Sequence, residues 1–114
     1  MRIMIMVSEF PPGPGGIGAH AYNMALHFIN KAHQVTVYTA DRPSYRASGF
    51  DRDQPMDIYR YPTYSNKLKR FVHLIKFLSN HRNNFDWIIL SGQSNLVLYT
   101  LIVQVIRSRV LCVI

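Results

Sequence analysis

The residues best suited to chemistry gather near the start of the chain. An apolar run, Ile3 to Val7, leads into Ser8-Glu9-Phe10-Pro11-Pro12-Gly13-Pro14-Gly15-Gly16-Ile17-Gly18-Ala19-His20. Glycine carries no Cβ, so a glycine loop lets backbone come close to a ligand. Where such a loop opens a helix, the first N–H groups have no intrahelical acceptor and attract an anion. The stretch Gly15, Gly16, Ile17 and Gly18 therefore predicts contact with something phosphorylated.

Other chemistries find less support. Gly13-Pro14-Gly15-Gly16-Ile17-Gly18 formally matches the G-x-G-x-x-G dinucleotide fingerprint, and Asp41 stands where a ribose-binding acid could sit. In that fingerprint the first glycine follows the strand almost at once, whereas Ser8 to Pro12 intervene here. No lysine followed by Ser or Thr closes the glycine run, which excludes a Walker loop. His20, His27, His33, His73 and His81 are scattered. No third ligand accompanies any pair of them, so no metal site is expected. Ser8 and Ser91 lie at strand ends but lack the G-x-S-x-G elbow of a serine hydrolase.

Alternating elements must position these residues. Arg2 to Ser8 reads as a strand apolar enough to be buried on both faces. Ile17 to Ala32 reads as a helix, with Ile17, Ala21, Met24, Ala25, Phe28 and Ile29 at helical spacing. Gln34 to Thr39 is a second strand. Asp41 to Met56 carries charge, Pro43, Gly49 and Pro55 without a period, and is expected to be a mobile connection. Asp57 to Tyr61 is a third strand, stopped by Pro62. Ser65 or Asn66 could cap a helix ending near Asn80, with Leu68, Phe71, Val72, Ile75 and Leu78 on its inner face. Trp87 to Leu90, Leu96 to Ile106 and Val110 to Ile114 follow as strand, helix and strand. The fold class is α/β: a doubly wound, Rossmann-like, three-layer αβα half-domain with a parallel sheet of about five strands, order 3-2-1-4-5. Its ligand crevice lies beyond the C-terminal ends of strands one and four. The glycine loop and the Ser91-Gly92-Gln93-Ser94 turn both fall there.

Composition bounds the reading. The 114 residues suffice for one domain, and 48% apolar content excludes disorder. Cys112 has no partner cysteine and reads as a small buried hydrophobe in a reducing compartment. No secretory signal is visible, and Leu96 to Ile106 falls short of the ~20 residues of a membrane helix. A cytoplasmic location is expected, with peripheral contact at the inner membrane face. The formal charge is +7, which favours phosphate-rich partners. Lys67, Lys69, Arg70, His73, Lys76, His81 and Arg82 fall within sixteen residues, with Phe71, Leu74 and Phe77 among them. A solvated cationic face and a patch lying on anionic lipid both fit this pattern. Lys67, Lys69, Arg70 and Lys76 are the membrane-facing candidates. No base-reading module is recognisable, so nucleic acid is not expected. The chain ends inside an apolar strand, as natural domains rarely do, which predicts a fragment.

The order of motifs resembles the N-terminal domain of the retaining glycosyltransferases of GT-B fold. That family (family 4-like) includes glycogen synthases, sucrose synthases and bacterial sugar transferases of polysaccharide and glycolipid synthesis. The carrying residues are Met1-Arg2-Ile3-Met4-Ile5-Met6-Val7, Pro11-Pro12 and Gly15-Gly16-Ile17-Gly18. Met24-Ala25-Leu26, His33-Gln34-Val35-Thr36-Val37 (compare the family's GHEVTV) and Asp86-Trp87-Ile88-Ile89 continue the match. Asp41 to Asn80 matches most loosely.

The resemblance implies two Rossmann-like domains facing across a cleft, residues 1–114 being an incomplete first one. The first domain mainly binds acceptor and the second, absent here, the nucleotide-sugar. Gly15 and Gly16 would approach the donor diphosphate, with Ile17 and Gly18 completing that loop. Glu9 and His20 would be acceptor contacts, with Ser91 and Gln93 opposite. The partners implied are a nucleotide-sugar and a sugar or lipid-linked acceptor. No metal or other cofactor is implied, and this piece alone is expected to be inactive. Departures are Lys31-Ala32, where relatives usually place a glycine before His33, and Ser91, where relatives often carry histidine. The family's histidine near the donor sugar follows strand five, where this chain ends. A non-catalytic Rossmann-like module with a basic face, and a dinucleotide-binding domain, remain open as alternatives.

Overall fold

A computed structural model describes residues 1–41, 46–61, 68–69, 72–73, 76–77, 80, 85–91 and 110–113. The elements run β1 (Arg2–Val7), α1 (Gly16–Asn30), β2 (Gln34–Ala40), α2 (Ala47–Arg52), β3 (Asp57–Tyr61), β4 (Trp87–Ser91) and β5 (Val110–Val113). All pairings are parallel, in the order β3-β2-β1-β4-β5. This is the doubly wound order that the apolar alternation predicts.

The central strand explains the two-sided core. Met4 and Ile5 are fully buried although they point to opposite faces. On one face Ile3, Ile5, Val7, Val35, Val37 and Ile89 meet Ala21 and Ala25 of α1, together with Phe10 and Met56. The small Ala21 and Ala25, one turn apart, let α1 lie close on the sheet. On the other face stand Met4, Met6, Tyr38, Ile88 and Leu90, all buried.

Helix α1 ends two residues before the spacing predicts. Ala32 takes a left-handed conformation, φ +67°, and the His33 N–H donates to Phe28 O at 3.0 Å. Glycine is the usual residue at such a helix end. The backbone therefore keeps the glycine-type turn although alanine occupies it.

Two expectations need correction. The connection Asp41 to Met56 contains the helix α2, which is too short to show a period in sequence. It is held by Ala47, buried, and by Phe50, whose ring packs edge-on against Tyr22 at 5.7 Å. The second correction concerns the basic segment. Residues 68, 69, 72, 73, 76, 77 and 80 are helical, but Leu68 and Val72 are exposed rather than inward. Phe77 and His73 face the sheet instead. Phe77 lies 4.4 Å from Tyr38 and 5.2 Å from Tyr59, and His73 Nδ1 is 3.0 Å from the Tyr38 hydroxyl. The sheet offers rings on this side, and rings pack against rings more favourably than aliphatic chains do.

The capping candidates Ser65 and Asn66, the inner-face residues Phe71, Ile75 and Leu78, the turn residues Gly92, Gln93 and Ser94, and the helix Leu96 to Ile106 lie outside the described residues. So do Lys67 and Arg70. Among the described residues, no helix is long and apolar enough to cross a membrane.

Candidate functional site

Strands β1 and β4 end side by side, Val7 opposite Ser91. The chain order reverses at this point, because β2 flanks β1 on its other side. From Val7 the loop Ser8 to Gly15 climbs over the sheet and delivers α1, whose first residue is Gly16. This path is longer than the tight first turn of a dinucleotide fingerprint.

The head of α1 lacks a side-chain cap, although the Glu9 carboxylate lies beside Gly15. Its first turn holds no acidic residue. The ladder starts with Ala19 N–H donating to Gly15 O at 3.1 Å, so the N–H groups of Gly16, Ile17 and Gly18 precede it. Such groups, with the helix dipole, attract negative charge.

The three glycines here have different reasons to be glycine. Gly15 has φ +135°, a conformation that other residues rarely adopt, and a Cβ there would meet the Glu9 carboxylate at 2.5 Å. Gly18 is buried, and its Cβ would lie 3.1 Å from both Glu9 O and Phe10 Cα. It lets α1 pass against the loop backbone. Gly16 faces open space, with nothing within 4 Å of a Cβ. Neither positive φ nor crowding demands glycine at that position.

The other sequence candidates fall as follows. Ile17 packs on the core, so only its backbone can face a ligand. Glu9 is half-buried, its carboxylate against Gly15. His20 is exposed on α1. Ser91 is buried at the end of β4. Gln93 lies outside the described residues. The structure thus brings Glu9 to the head of α1 and Ser91 beside Val7.

A support beneath the loop was not legible in the sequence. Phe10 is 2% exposed and packs with Tyr22 at 5.8 Å and Phe50 at 6.5 Å. The Tyr22 hydroxyl donates to Gln54 Oε1 at 2.6 Å. Arg60 donates through Nε and Nη2 to both Asp51 oxygens, at 2.7 and 2.9 Å. Its Nη2 also donates to Pro11 O at 2.7 Å. The Arg60 side chain is only 8% exposed, so β3 and α2 together hold the loop at Pro11. The one available signal was the alternation Ile58, Arg60, which puts an arginine on the face that carries the core.

Charge is arranged differently at the opposite end of the sheet. The Arg2 N–H donates to Asp86 Oδ2 at 2.9 Å. That hydrogen bond, aided by the charges of Arg2 and the N-terminus, holds the Asp86 carboxyl below its ordinary pKa despite some desolvation. A cavity of about 490 Å³, lined by Arg2, His33, Gln34, Asp57 and Tyr59 among others, opens at that same end. It collects the starts of β1, β2 and β3, away from the glycine loop. Among the described residues, no three His, Cys, Asp or Glu side chains converge as a metal site would require.

No protein-family model and no curated protein matches this chain in sequence. Among solved structures, the chain is similar to Anabaena Alr3699/HepE, crystallised in complex with UDP-glucose. The TM-score is 0.64 at 12% identity, over 98% of this chain and 28% of that chain. At that identity the likeness shows a shared fold. The chain spans little more than a quarter of the length of HepE.

Proposed function

We propose that this chain is the acceptor-side part of a glycosyltransferase that moves a sugar from a nucleotide-sugar to a sugar or lipid-linked acceptor. The observation that carries the reading is the uncapped head of α1 with open space at Gly16. The fold shared with a protein that holds UDP-glucose agrees with it, as does the order of motifs in the sequence. Backbone N–H groups of Gly16 and Ile17 would meet the donor diphosphate. Fixed donors of this kind stabilise charge that grows on a leaving phosphate, without reorganising during the reaction. Glu9 and His20 would face the acceptor, and transfer would need no metal.

The test is a titration of the labelled chain with UDP-glucose, followed by amide NMR. Shifts concentrated at Gly16 and Ile17, absent in Gly16→Val and indifferent to a chelator, are expected. Shifts spread over the surface, or equal in the variant, would overturn the reading. In a protein joining this chain to a donor-binding domain, Gly16→Val is expected to lower turnover by ~10²–10³.

A further inference from the structure

We infer that the cavity of about 490 Å³ at the starts of β1, β2 and β3 is a binding site for a neutral saccharide. Strand β1 runs from Arg2 at this cavity to Val7 below the glycine loop. At about 3.3 Å per residue the two ends stand about 17 Å apart. One sugar cannot touch both, so the site is separate from the crevice at the head of α1. It does not depend on sugar transfer.

Register gathers the polar residues of this cavity on one face of the sheet. Arg2 pairs with Gln34, Thr36 with Asp57, and Tyr38 with Tyr59. Paired residues of neighbouring strands point the same way, and residues two apart on one strand share a face. Arg2, Gln34, Thr36, Asp57 and Tyr59 therefore stand together on the face away from α1, in line with buried Met4 and Tyr38. Nearer the middle of this face Phe77 covers Tyr38 and meets Tyr59 edge-on at 5.2 Å. Towards the strand starts Gln34 and Asp57 are exposed, and Tyr59 keeps 45% of its surface. Phe85 adds a second ring to the lining.

The ligand is read from the groups left to it. Among the described residues, no ion pair or side-chain hydrogen bond engages the side chains of Gln34, Thr36 or Asp57. Gln34 offers donors and an acceptor, Thr36 offers both in one hydroxyl, Asp57 accepts and Arg2 donates. A sugar hydroxyl is itself both donor and acceptor, so a mixed set of this kind satisfies it. Strands lie about 4.8 Å apart, and groups on β1, β2 and β3 reach hydroxyls on different sides of one pyranose ring. Charge points the same way. Asp86 lies 3.7 Å from Arg2, and Asp57 shares the cavity, so no cationic excess is left for a phosphate. An apolar ligand would strip water from Asp57 and Arg2 and return no hydrogen bond. Tyr59 and Phe85 supply apolar surface for the C–H face of the sugar. The volume falls within the ~300–1,000 Å³ usual for small-molecule sites.

The experiment titrates the labelled 114-residue chain separately with maltotriose, cellotriose and chitotriose, followed by amide NMR. Saturable shifts at Gln34, Thr36, Asp57 and Tyr59 are expected with at least one of them, and salt should leave the affinity unchanged because the ligand is neutral. Gln34→Ala with Asp57→Ala should weaken binding about tenfold or more through the lost charge-assisted hydrogen bond. The melting temperature should hold, since both side chains are exposed. If that pair melts early, Asp57→Asn carries the test: it keeps the shape, removes the charge and should still weaken binding severalfold. Four results would overturn the proposal. No shift with any of the three saccharides is the first, and full affinity in a folded variant is the second. Shifts at Glu9 and Gly15 to Gly18 in place of the strand starts would put the sugar at the glycine loop. Movement of the cavity amides by inorganic phosphate or adenosine, with the saccharides silent, would mark an anion or nucleoside site.

Discussion

The clearest prediction concerns the three glycines at the head of α1, because their surroundings differ. Gly15→Ala forces a residue with a Cβ to φ +135°, a region that costs of order 1–3 kcal/mol. The Glu9 carboxylate in its way is the end of a flexible side chain and can move. Gly18→Val inserts bulk 3.1 Å from the backbone of Glu9 and Phe10. That backbone is anchored by a buried ring, so overpacking should cost about 1–3 kcal/mol. A Cβ at Gly16 meets nothing within 4 Å, so Gly16→Val should change stability by no more than ~0.5 kcal/mol, as surface substitutions do. At roughly 5 °C per kcal/mol for a domain of this size, the first two variants should melt about 10 °C early and the third should melt normally. Urea denaturation and UDP-glucose titration on the same preparations complete the assay. Gly16→Val should lose phosphate binding while folded. If Gly16→Val melts as early as Gly18→Val, the open space is not real and the glycine shapes a turn.

Three further outcomes follow from named contacts. Arg60→Met should destabilise by about 3 kcal/mol, because it leaves the Asp51 carboxylate poorly paired; adding Asp51→Asn should recover part of that loss, and simple additivity in the double-mutant cycle would refute a coupled pair. The lowered Asp86 pKa means its charge stabilises the fold above the ordinary carboxylate value of ~3.9 and ceases to as pH falls through the lower folded-state value. Asp86→Asn should therefore melt earlier than the parent at neutral pH, with the gap closing in acid; a gap independent of pH would refute the assignment. Ala32→Gly relieves a left-handed alanine costing ~1–2 kcal/mol, less the ~0.4–1 kcal/mol of added unfolded-chain freedom, so it should raise the melting temperature by a few degrees.

How much of this was legible in the sequence depends on how local its cause is. β1 announces itself because a strand buried on both faces needs an unbroken apolar run, and Ile3 to Val7 supplies one. Sheet order followed from the alternation alone. Gly15, Gly16 and Gly18 stand together in sequence but are glycine for unlike reasons, and only the position of Glu9 and Phe10 above them separates those reasons. Helix α2 was invisible because a helix of this length is stabilised by tertiary contact and not by its own period. Arg60 was missed for the same reason, since its partners Asp51 and Pro11 come from elements that meet only in the fold. The misassigned face of the basic helix shows the limit of period counting. Leu68 and Val72 have the right spacing for a core stripe, but rings already on the sheet chose Phe77 and His73.

Glu9 poses the last question, because its charge opposes the proposed role of its neighbours. Its carboxylate lies against Gly15, close to where an anion at the head of α1 would sit. Two like charges ~5 Å apart in a well-solvated cleft repel by about 1 kcal/mol, and a diphosphate carries more than one charge. If Glu9 served phosphate binding it would be badly chosen. It is well chosen if it accepts a hydrogen bond from an acceptor hydroxyl, where a charged acceptor bonds more strongly than a neutral one. Glu9→Gln separates the two roles by sign. UDP-glucose binding to the chain should tighten by roughly fivefold, because a repulsion of about 1 kcal/mol is removed. Sugar transfer by a protein joining this chain to a donor-binding domain should fall, chiefly through a higher KM for acceptor. A uniform loss of both would place Glu9 in the support of the loop, and an unchanged UDP-glucose affinity would show that no phosphate comes to the head of α1.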